Sequence, residues 1–218
     1  MKKEELYKYI DHTVLKATTS WDDVKKACDE ALVFRMASVC IPGCYVKRAR
    51  SSFPTLNIST VIGFPLGNCS TAAKVAEARQ ALEDGANEID MMVNLGWVRD
   101  KEFKQVIAEI KEVREAVGKV VLKVIIETCY LDDEEKFMLC RCVTKAKADY
   151  LKTSTGFGTA GAKLDEVKLI RRTVDPGIKV KASGGIRTKA DMEEFIYAGA
   201  TRIGTSRAIE ILSKEDDE

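Results

Sequence analysis

Short apolar segments rich in β-branched residues alternate with amphipathic segments along the whole chain. The apolar segments predict strands near residues 10–15, 36–41, 57–62, 87–93, 120–126, 149–153, 178–182 and 201–205. The stretches between them have helical periodicity, and several begin with capping residues such as Ser20, Ser70 and Thr188. The fifth and sixth of these helices are predicted near 132–147 and 163–173. Because strands that alternate with helices pair in parallel through right-handed crossovers, eight such units predict a closed (β/α)8 barrel.

The alternative architecture is an open, doubly wound parallel sheet. That fold binds dinucleotides through a G-x-G-x-x-G turn, and no such turn follows the first predicted strand. We therefore expect a TIM-type α/β barrel, with a short extra helix before the first strand. The barrel should form a single domain over residues 1–218, with a frayed acidic end at about residues 214–218.

Alternation within the predicted strands divides their side chains between two faces. In six strands, polar groups occupy the face that would point into the barrel, where active sites lie at the carboxyl end. Buried charges cost several kcal/mol each unless they are compensated, so a chain that keeps this many is expected to use some of them. A purely structural ion-pair cluster is the alternative. The charged residues predicted to converge on one cavity are Lys123, Lys152, Lys181, Asp11, Asp90 and Glu127.

Composition and charge argue against several classes of partner and cofactor. The formal net charge is +1 and the charges are interspersed, so neither nucleic acid nor a membrane surface is an expected partner. The chain shows no signal peptide and no long apolar run, and its seven cysteines lack metal-type spacing. We expect a cytoplasmic protein with reduced thiols. With His12 as the single histidine, a multi-histidine metal site is excluded, and we expect neither a metal nor another cofactor.

A buried lysine amine can form a Schiff base with a carbonyl substrate if it is uncharged. Lys152 and Lys181 stand at equivalent depths on successive strands. Two ammonium groups about 6 Å apart repel by roughly 3 kcal/mol at an effective dielectric constant of about 20. That repulsion corresponds to a pKa shift of about two units. The pair is thus predicted to act as nucleophile and activator.

Glycine-rich loops follow the last two predicted strands. They read "SGGIRT" from Ser183 and "GTSRA" from Gly204, and each opens a helix. In (β/α)8 barrels these two loops often hold phosphate through backbone N–H groups and a helix N-terminus. The predicted ligand is therefore a phosphorylated carbonyl compound.

Seven segments spread over residues 9–206 resemble the deoxyribose-phosphate aldolase family: "YIDHTVLK", "STVIGFPLG", "EIDMMVNLG", "LKVIIETCYL", "YLKTSTGFGTAGA", "VKASGGIRT" and "RIGTS". The resemblance implies a metal-independent class I aldolase with the barrel fold. Such an enzyme cleaves 2-deoxy-D-ribose 5-phosphate to D-glyceraldehyde 3-phosphate and acetaldehyde. The resemblance also implies a homo-oligomer, either a dimer or a tetramer.

The resemblance further implies roles for individual residues. Lys152 would form the Schiff base, Lys181 would lower its pKa and assist proton transfer, and Asp90 would relay protons. Substrate-binding residues would be Asp11, Thr13, Cys40, Lys123 and Ser154. Phosphate-binding residues would be Gly156, Gly184, Gly185, Arg187, Gly204 and Ser206. The chain departs from the pattern at Phe157, where some members carry lysine, and at Arg207, where a small residue is common; Arg187 or Arg207 would then supply the phosphate charge.

Three other functions fit parts of the pattern. A different phosphosugar Schiff-base aldolase or a transaldolase would keep the barrel and the imine. A phosphosugar isomerase or epimerase would use Asp90 and Glu127 and need no imine. A non-catalytic barrel would bind the phosphosugar without cleaving it.

Overall fold

The computed structural model describes residues 1–213, which form a closed barrel of eight parallel strands. Each strand pairs with the next, and the last pairs with the first, so the described barrel has no free sheet edge. The predicted (β/α)8 barrel is confirmed. The strands are β1 (Ile10–Thr13), β2 (Ser38–Ile41), β3 (Ile58–Ile62), β4 (Glu88–Met92), β5 (Val121–Ile125), β6 (Tyr150–Lys152), β7 (Lys179–Ser183) and β8 (Arg202–Thr205).

Ten α-helices accompany these strands in the described residues. One is the predicted extra helix before β1, and a second short helix after β4 was not predicted. Asn94 caps that second helix by accepting hydrogen bonds from the backbone N–H groups of Gly96 and Trp97. The helices are α1 (Lys3–Tyr7), α2 (Trp21–Val33), α3 (Val46–Ser52), α4 (Thr71–Glu83), α5 (Leu95–Arg99), α6 (Phe103–Val117), α7 (Asp133–Ala146), α8 (Leu164–Thr173), α9 (Lys189–Tyr197) and α10 (Ala208–Ser213).

The capping signals read from the sequence mark the beginnings of three helices. Ser20 and Thr188 form capping boxes with Asp23 and Asp191, in which each side chain bonds the other residue's backbone N–H. The Ser70 hydroxyl accepts a hydrogen bond from the backbone N–H of Ala73. These contacts satisfy N–H groups that the first helical turn leaves without partners.

The alternation of side chains separates the apolar core from a polar barrel interior. Val39, Ile89, Val124 and Val180, which alternate with the polar positions, are fully buried and belong to the apolar core. The inward side chains include Asp11, Asp90, Lys123 and Lys181, which are also fully buried. Charged groups in such a place persist only when they are paired.

A second buried ion pair lies outside the barrel, between α4 and α6. The Lys74 Nζ donates to Glu109 Oε1 at 2.8 Å, and both side chains are fully buried. Gly63, with φ +59, packs on this lysine, since an added Cβ would lie 2.7 Å from Lys74 Cε. Burial raises the pKa of Glu109, and Lys74 opposes this shift. The pair thus supports the loop that follows β3.

No helix within residues 1–213 is both long enough and apolar enough to cross a membrane. The predicted acidic end at 214–218 lies outside the described residues.

Candidate active site

Three lysines from neighbouring strands meet on the carboxylate of Asp90. Asp90 Oδ2 accepts from Lys152 Nζ at 2.9 Å and from Lys181 Nζ at 2.8 Å, and its Oδ1 accepts from Lys123 Nζ at 2.6 Å. Strand register produces this arrangement, because Asp90 lies beside Lys123 in the β4–β5 pair and Lys152 beside Lys181 in the β6–β7 pair. The predicted convergence of these four residues is therefore observed.

Below Asp90, a second layer of charges continues the cluster. Asp11 Oδ2 accepts from Lys181, and Asp11 Oδ1 accepts from Arg202 and from Ser38. Glu88 Oε2 lies 2.6 Å from Lys123 Nζ and 3.1 Å from Arg202 Nη1. Glu88 lies two positions before Asp90 and so shares its face of β4. Neither Glu88 nor Arg202, the first residue of the segment "RIGTS", was assigned a role from the sequence.

Glu127 contacts a different element from the one expected. It follows β5 in a left-handed conformation with φ +50, and its carboxylate accepts hydrogen bonds from the Thr155 backbone N–H and hydroxyl. Glu127 therefore holds the loop after β6 rather than adding a carboxylate to the lysine cluster.

Lys152 is the member of the cluster that faces a cavity. This cavity, of about 1080 Å³, opens at the carboxyl ends of the strands and is lined by Lys152 and Thr13, among others. Lys123, Lys181 and Asp90 are fully buried behind it. A ligand in the cavity can therefore reach the Lys152 amine directly.

Two predicted substrate-binding residues lie behind the cavity wall. Cys40 is fully buried beside Thr13 in the β1–β2 pair. Ser154 is fully buried as well, and its hydroxyl donates to Thr153 Oγ1 at 3.1 Å. These two side chains therefore shape the site from behind.

The lysines differ in their pKa values because their surroundings differ. Burial lowers the pKa of Lys152; the nearby Asp90 opposes this shift and the positive charge of Lys181 adds to it. Burial also disfavours the charged form of Lys181, but Asp11 and Asp90 outweigh burial and raise its pKa. For Asp90, burial is outweighed by the three lysines, which hold its pKa well below the ordinary value. Lys152 is thus the amine that loses its proton most readily among these three lysines. Burial lowers its pKa more than the positive charge of Lys181 does, although the prediction was based on that charge.

The glycine-rich loops after β6, β7 and β8 line the same cavity as Lys152. Gly156, Gly184 and Gly185 have φ values of +89, +80 and +74, a region that strongly favours glycine. The predicted phosphate-binding residues all belong to this lining: Gly156, Gly184, Gly185, Arg187, Gly204 and Ser206. The structure therefore brings the predicted amine and the predicted phosphate loops into one cavity.

Gly204 also has a packing role. A Cβ there would lie 2.7 Å from Ser183 Oγ and 3.0 Å from Lys181 Cε. The absence of a side chain at this position makes room for Lys181 inside the barrel.

Gly161, to which no role was assigned from the sequence, allows the loops after β6 and β7 to touch. The backbone N–H of Ala162 lies 3.1 Å from the carbonyl oxygen of Ser183 and 3.2 Å from that of Gly184. A Cβ on Gly161 would lie 2.2 Å from the carbonyl carbon of Gly184, so the backbones can approach this closely only without a side chain.

We expect Gly161→Ala to separate these two loops. The clash is with backbone atoms, so the loops must shift, at a cost of about 1–3 kcal/mol in the free energy of unfolding. Because Gly184 lines the cavity, KM for a phosphorylated substrate should rise as well. Urea unfolding and steady-state kinetics measure the two effects; wild-type values for both would contradict this account of Gly161.

Phe157 and Arg207, where the chain departs from the family pattern, each contact a specific side chain. Arg207 forms a two-point ion pair with Glu210, with Nε–Oε2 and Nη2–Oε1 distances of 2.8 and 2.6 Å. Phe157 packs edge to face on Phe64 with 5.5 Å between ring centroids, which joins the loops after β6 and β3 across the barrel mouth. Of the two arginines considered for phosphate binding, Arg187 is the one whose side chain is not committed to such a pair.

Within residues 1–213, no three His, Cys, Asp or Glu side chains are grouped so that they could hold a metal ion. His12 lines the cavity with its Nε2 placed 2.7 Å from Glu30 Oε2.

A lysine amine that reaches a cavity at the carboxyl end of a (β/α)8 barrel places this protein in the class of barrel enzymes equipped to form a Schiff base with a carbonyl compound. Comparison with known families agrees, because residues 6–206 match the DeoC/LacD family of aldolases. The chain belongs to this family.

Similar proteins cover almost the full chain. Deoxyribose-phosphate aldolases from Clostridium botulinum (strain Eklund 17B / Type B) and Clostridioides difficile (strain 630) are each 51% identical to it, over 99% and 98% of this chain and 98% of each relative. Among solved structures, an aldolase called QR15 has a TM-score of 0.93 and 39% identity, covering 98% of this chain and 96% of its own. The tetrameric deoxyribose phosphate aldolase from Aeropyrum pernix has a TM-score of 0.88 and 32% identity, covering 99% and 92%.

Proposed function

We propose that this chain is a deoxyribose-phosphate aldolase. It cleaves 2-deoxy-D-ribose 5-phosphate reversibly to D-glyceraldehyde 3-phosphate and acetaldehyde, in the catabolism of deoxyribonucleosides and deoxyribose phosphate. The observation that carries the proposal is the placement of the Lys152 amine and the three glycine-rich loops on one cavity. Full-length relatives at 51% identity carry the same activity in their names.

The reaction begins when the neutral Lys152 amine attacks the C1 aldehyde of the open-chain sugar. Proton transfer to the resulting hydroxyl and loss of water leave an iminium ion. A base then removes the proton of the C3 hydroxyl, the C2–C3 bond breaks, and its electron pair moves into the iminium to give an enamine. Glyceraldehyde 3-phosphate departs, the enamine takes a proton at C2, and hydrolysis releases acetaldehyde and the free amine.

Asp90 and Lys181 are suited to move these protons. Asp90 Oδ2 contacts the Nζ atoms of both Lys152 and Lys181, so a proton can pass between the two amines through one carboxylate oxygen. Thr13 lies on the cavity wall, where it can contact the substrate hydroxyls. Asp11 and Lys123 are fully buried, and we assign to them the positioning of Lys181 and Asp90 for this proton transfer. Cys40 and Ser154, which are also fully buried, pack behind the wall of the cavity on the substrate side.

Borohydride reduction tests the covalent step. The protein is mixed with deoxyribose 5-phosphate or acetaldehyde, treated with sodium borohydride, digested and analysed by peptide mass spectrometry. We expect a reduced adduct on the peptide that contains Lys152, and none in the Lys152→Leu variant. An adduct on another lysine, or no adduct at all, would overturn the proposal. Turnover with dihydroxyacetone phosphate as donor would instead indicate another phosphosugar aldolase or a transaldolase.

Arg187 is proposed to supply the positive charge that holds the substrate phosphate. It lines the cavity and is exposed, whereas Arg207 is engaged by Glu210. We expect Arg187→Gln to raise KM for deoxyribose 5-phosphate by about 10-fold or more, since a charge-assisted hydrogen bond to phosphate is lost. Cleavage of unphosphorylated 2-deoxyribose should be unchanged.

Arg207→Gln is the matched control for this prediction, because it removes the same charge from the same cavity. We expect it to change KM by less than about threefold, as is usual for an exposed ion pair. If Arg187→Gln weakens the reaction of both sugars equally, its role is structural and the assignment is wrong.

We propose that copies of the chain assemble into a dimer or tetramer in the cytoplasm, each a single catalytic domain over residues 1–218. The relative from Aeropyrum pernix is described as tetrameric. At the end of α2, Leu32 and Val33 are 47% and 72% exposed, an apolar surface of the kind that subunit contacts cover. Size-exclusion chromatography with light scattering measures the assembly. A monomer at micromolar concentration would contradict the proposal.

A further inference from the structure

Arg202 and Glu88 form a charged pair at the amino-terminal end of the barrel interior, next to the lysine cluster. Arg202, on β8, bonds both Asp11 and Glu88. Its side chain is 12% exposed, and its guanidinium lies 5.5 Å from the ring centroid of Tyr150. Neither Arg202 nor Glu88 lines the cavity around Lys152, so their contribution must pass through other residues.

We propose that Arg202 and Glu88 are positioning residues that set, in opposite directions, how readily Lys152 is held uncharged: through the charge balance of the buried cluster, Arg202 favours the neutral amine and Glu88 opposes it. This inference rests on the proposed function of Lys152 as the imine-forming amine. It extends that function to two residues that touch neither the amine nor the cavity.

The coupling follows a continuous chain of contacts. Lys152 bonds Asp90, and Asp90 is shared with Lys123 and Lys181. Each of these two lysines also has a second carboxylate, Glu88 for Lys123 and Asp11 for Lys181. Arg202 binds both of those carboxylates. How strongly Asp90 can attract Lys152 therefore depends on how far Glu88 and Asp11 engage Lys123 and Lys181, and Arg202 competes with those two lysines for the same carboxylates.

The number of charges favours a neutral Lys152. Apart from that amine, the cluster holds three cations and three carboxylates: Lys123, Lys181 and Arg202 against Asp11, Glu88 and Asp90. A proton on Lys152 would add an uncompensated positive charge to a group of almost fully buried side chains, and such a charge is strongly disfavoured. The other titratable group that acts on Lys152, Cys40 on β2, is a buried thiol whose pKa is raised by burial, so it adds no charge near neutrality.

The balance predicts opposite effects for the two residues. Arg202→Met removes a cation, so Asp11 and Glu88 attract Lys181 and Lys123 more strongly. These two lysines then neutralise less of the charge of Asp90, which attracts a proton on Lys152 more strongly. The pKa of Lys152 therefore rises. Glu88→Gln removes a negative charge while keeping the size of the side chain. Lys123 then interacts more strongly with Asp90, so the attraction of Asp90 for a proton on Lys152 weakens and the pKa of Lys152 falls. A unit charge on the order of 8–10 Å away shifts a pKa by roughly one unit at an effective dielectric constant of about 20.

The first readout is the pH dependence of kcat/KM for deoxyribose 5-phosphate cleavage. Its acidic limb should move about one pH unit towards alkaline pH in Arg202→Met and about one unit towards acidic pH in Glu88→Gln. The second readout needs no turnover: the rate at which formaldehyde and cyanoborohydride methylate Lys152 follows its neutral fraction. Peptide mass spectrometry gives that rate as a function of pH.

Three control variants separate an effect of charge balance from damage to the fold. Lys179→Met removes a cation whose Nζ lies 5.6 Å from the same Tyr150 ring but whose side chain is exposed, and it should leave the acidic limb in place. Arg202→Lys keeps the charge and should also keep the limb. The double variant Arg202→Met/Glu88→Gln restores equal numbers of charges and should return the limb towards the wild-type position.

Shifts of the same sign in both single variants, or no shift in Glu88→Gln, would overturn the inference. If Arg202→Met does not fold, Glu88→Gln and Arg202→Lys still decide it. Opposite shifts in methylation of Lys152, found together with no borohydride adduct, would uphold the charge balance and reject the proposed function. The two failures are therefore distinguishable.

Discussion

Replacing Lys152 by methionine is expected to lower the rate of deoxyribose 5-phosphate cleavage by at least about 10⁴-fold, because no other amine of the cluster faces the cavity. Steady-state kinetics over a range of pH measures the loss. Lys123 and Lys181 cannot substitute, since both are fully buried and paired with carboxylates. Raising the pH should not restore activity.

The same substitution should leave the fold intact, which distinguishes lost chemistry from lost structure. Asp90 keeps two lysine partners without Lys152. We therefore expect the free energy of unfolding to change by no more than about 1 kcal/mol, the net contribution of a single hydrogen bond. An isomerase or epimerase working through carboxylates would keep most of its activity in this variant. Activity within about 10-fold of the wild type would refute the imine mechanism.

The second large effect is expected for Asp90→Asn. An amide can accept hydrogen bonds at only one of its two polar atoms, so its NH2 group must face at least one of the three lysine side chains that donate to Asp90. Removing a partner from a buried charge cluster costs about 3–5 kcal/mol in the free energy of unfolding. Loss of the proton relay should lower kcat by about 10²–10⁴-fold. Urea unfolding and steady-state kinetics measure these two losses.

Trapping with borohydride separates the two effects of Asp90→Asn. The variant loses a negative charge beside Lys152, so the amine stays neutral and should still form an adduct with acetaldehyde. We expect the adduct to persist at temperatures where the variant is folded, while complete turnover is lost. Normal kcat in a destabilised Asp90→Asn protein would mean that Asp90 is structural and takes no part in proton transfer.

Much of the site was predictable because the signal is local. Alternation along β6 and β7 places Lys152 and Lys181 on one face, and alternation along β4 does the same for Glu88 and Asp90. The glycine-rich loops were recognisable because positive φ values and close backbone approaches restrict the residue type. The structure confirms the barrel, the extra N-terminal helix and the convergence of these groups.

The errors and omissions concern contacts between distant segments. Glu127 was expected among the lysines, but the left-handed turn after β5 directs it to Thr155. Arg202 was overlooked because its partners Asp11 and Glu88 lie 191 and 114 positions away in the chain. Gly161 was overlooked because its small size matters against the backbone of Gly184 and Gly185, which belong to the loop after another strand.

The sequence by itself determined the alternation of strands and helices, the face on which each side chain within a strand lies and the residue types available for chemistry. Periodicity of two and 3.6 residues is a property of the local backbone, so it can be read without knowing what packs nearby. The tertiary structure decided which lysine reaches the cavity, which carboxylates the others share and which arginine remains available for phosphate. Those outcomes depend on the register and tilt of eight strands closed into one ring, where each side chain's pKa is set by neighbours from other strands.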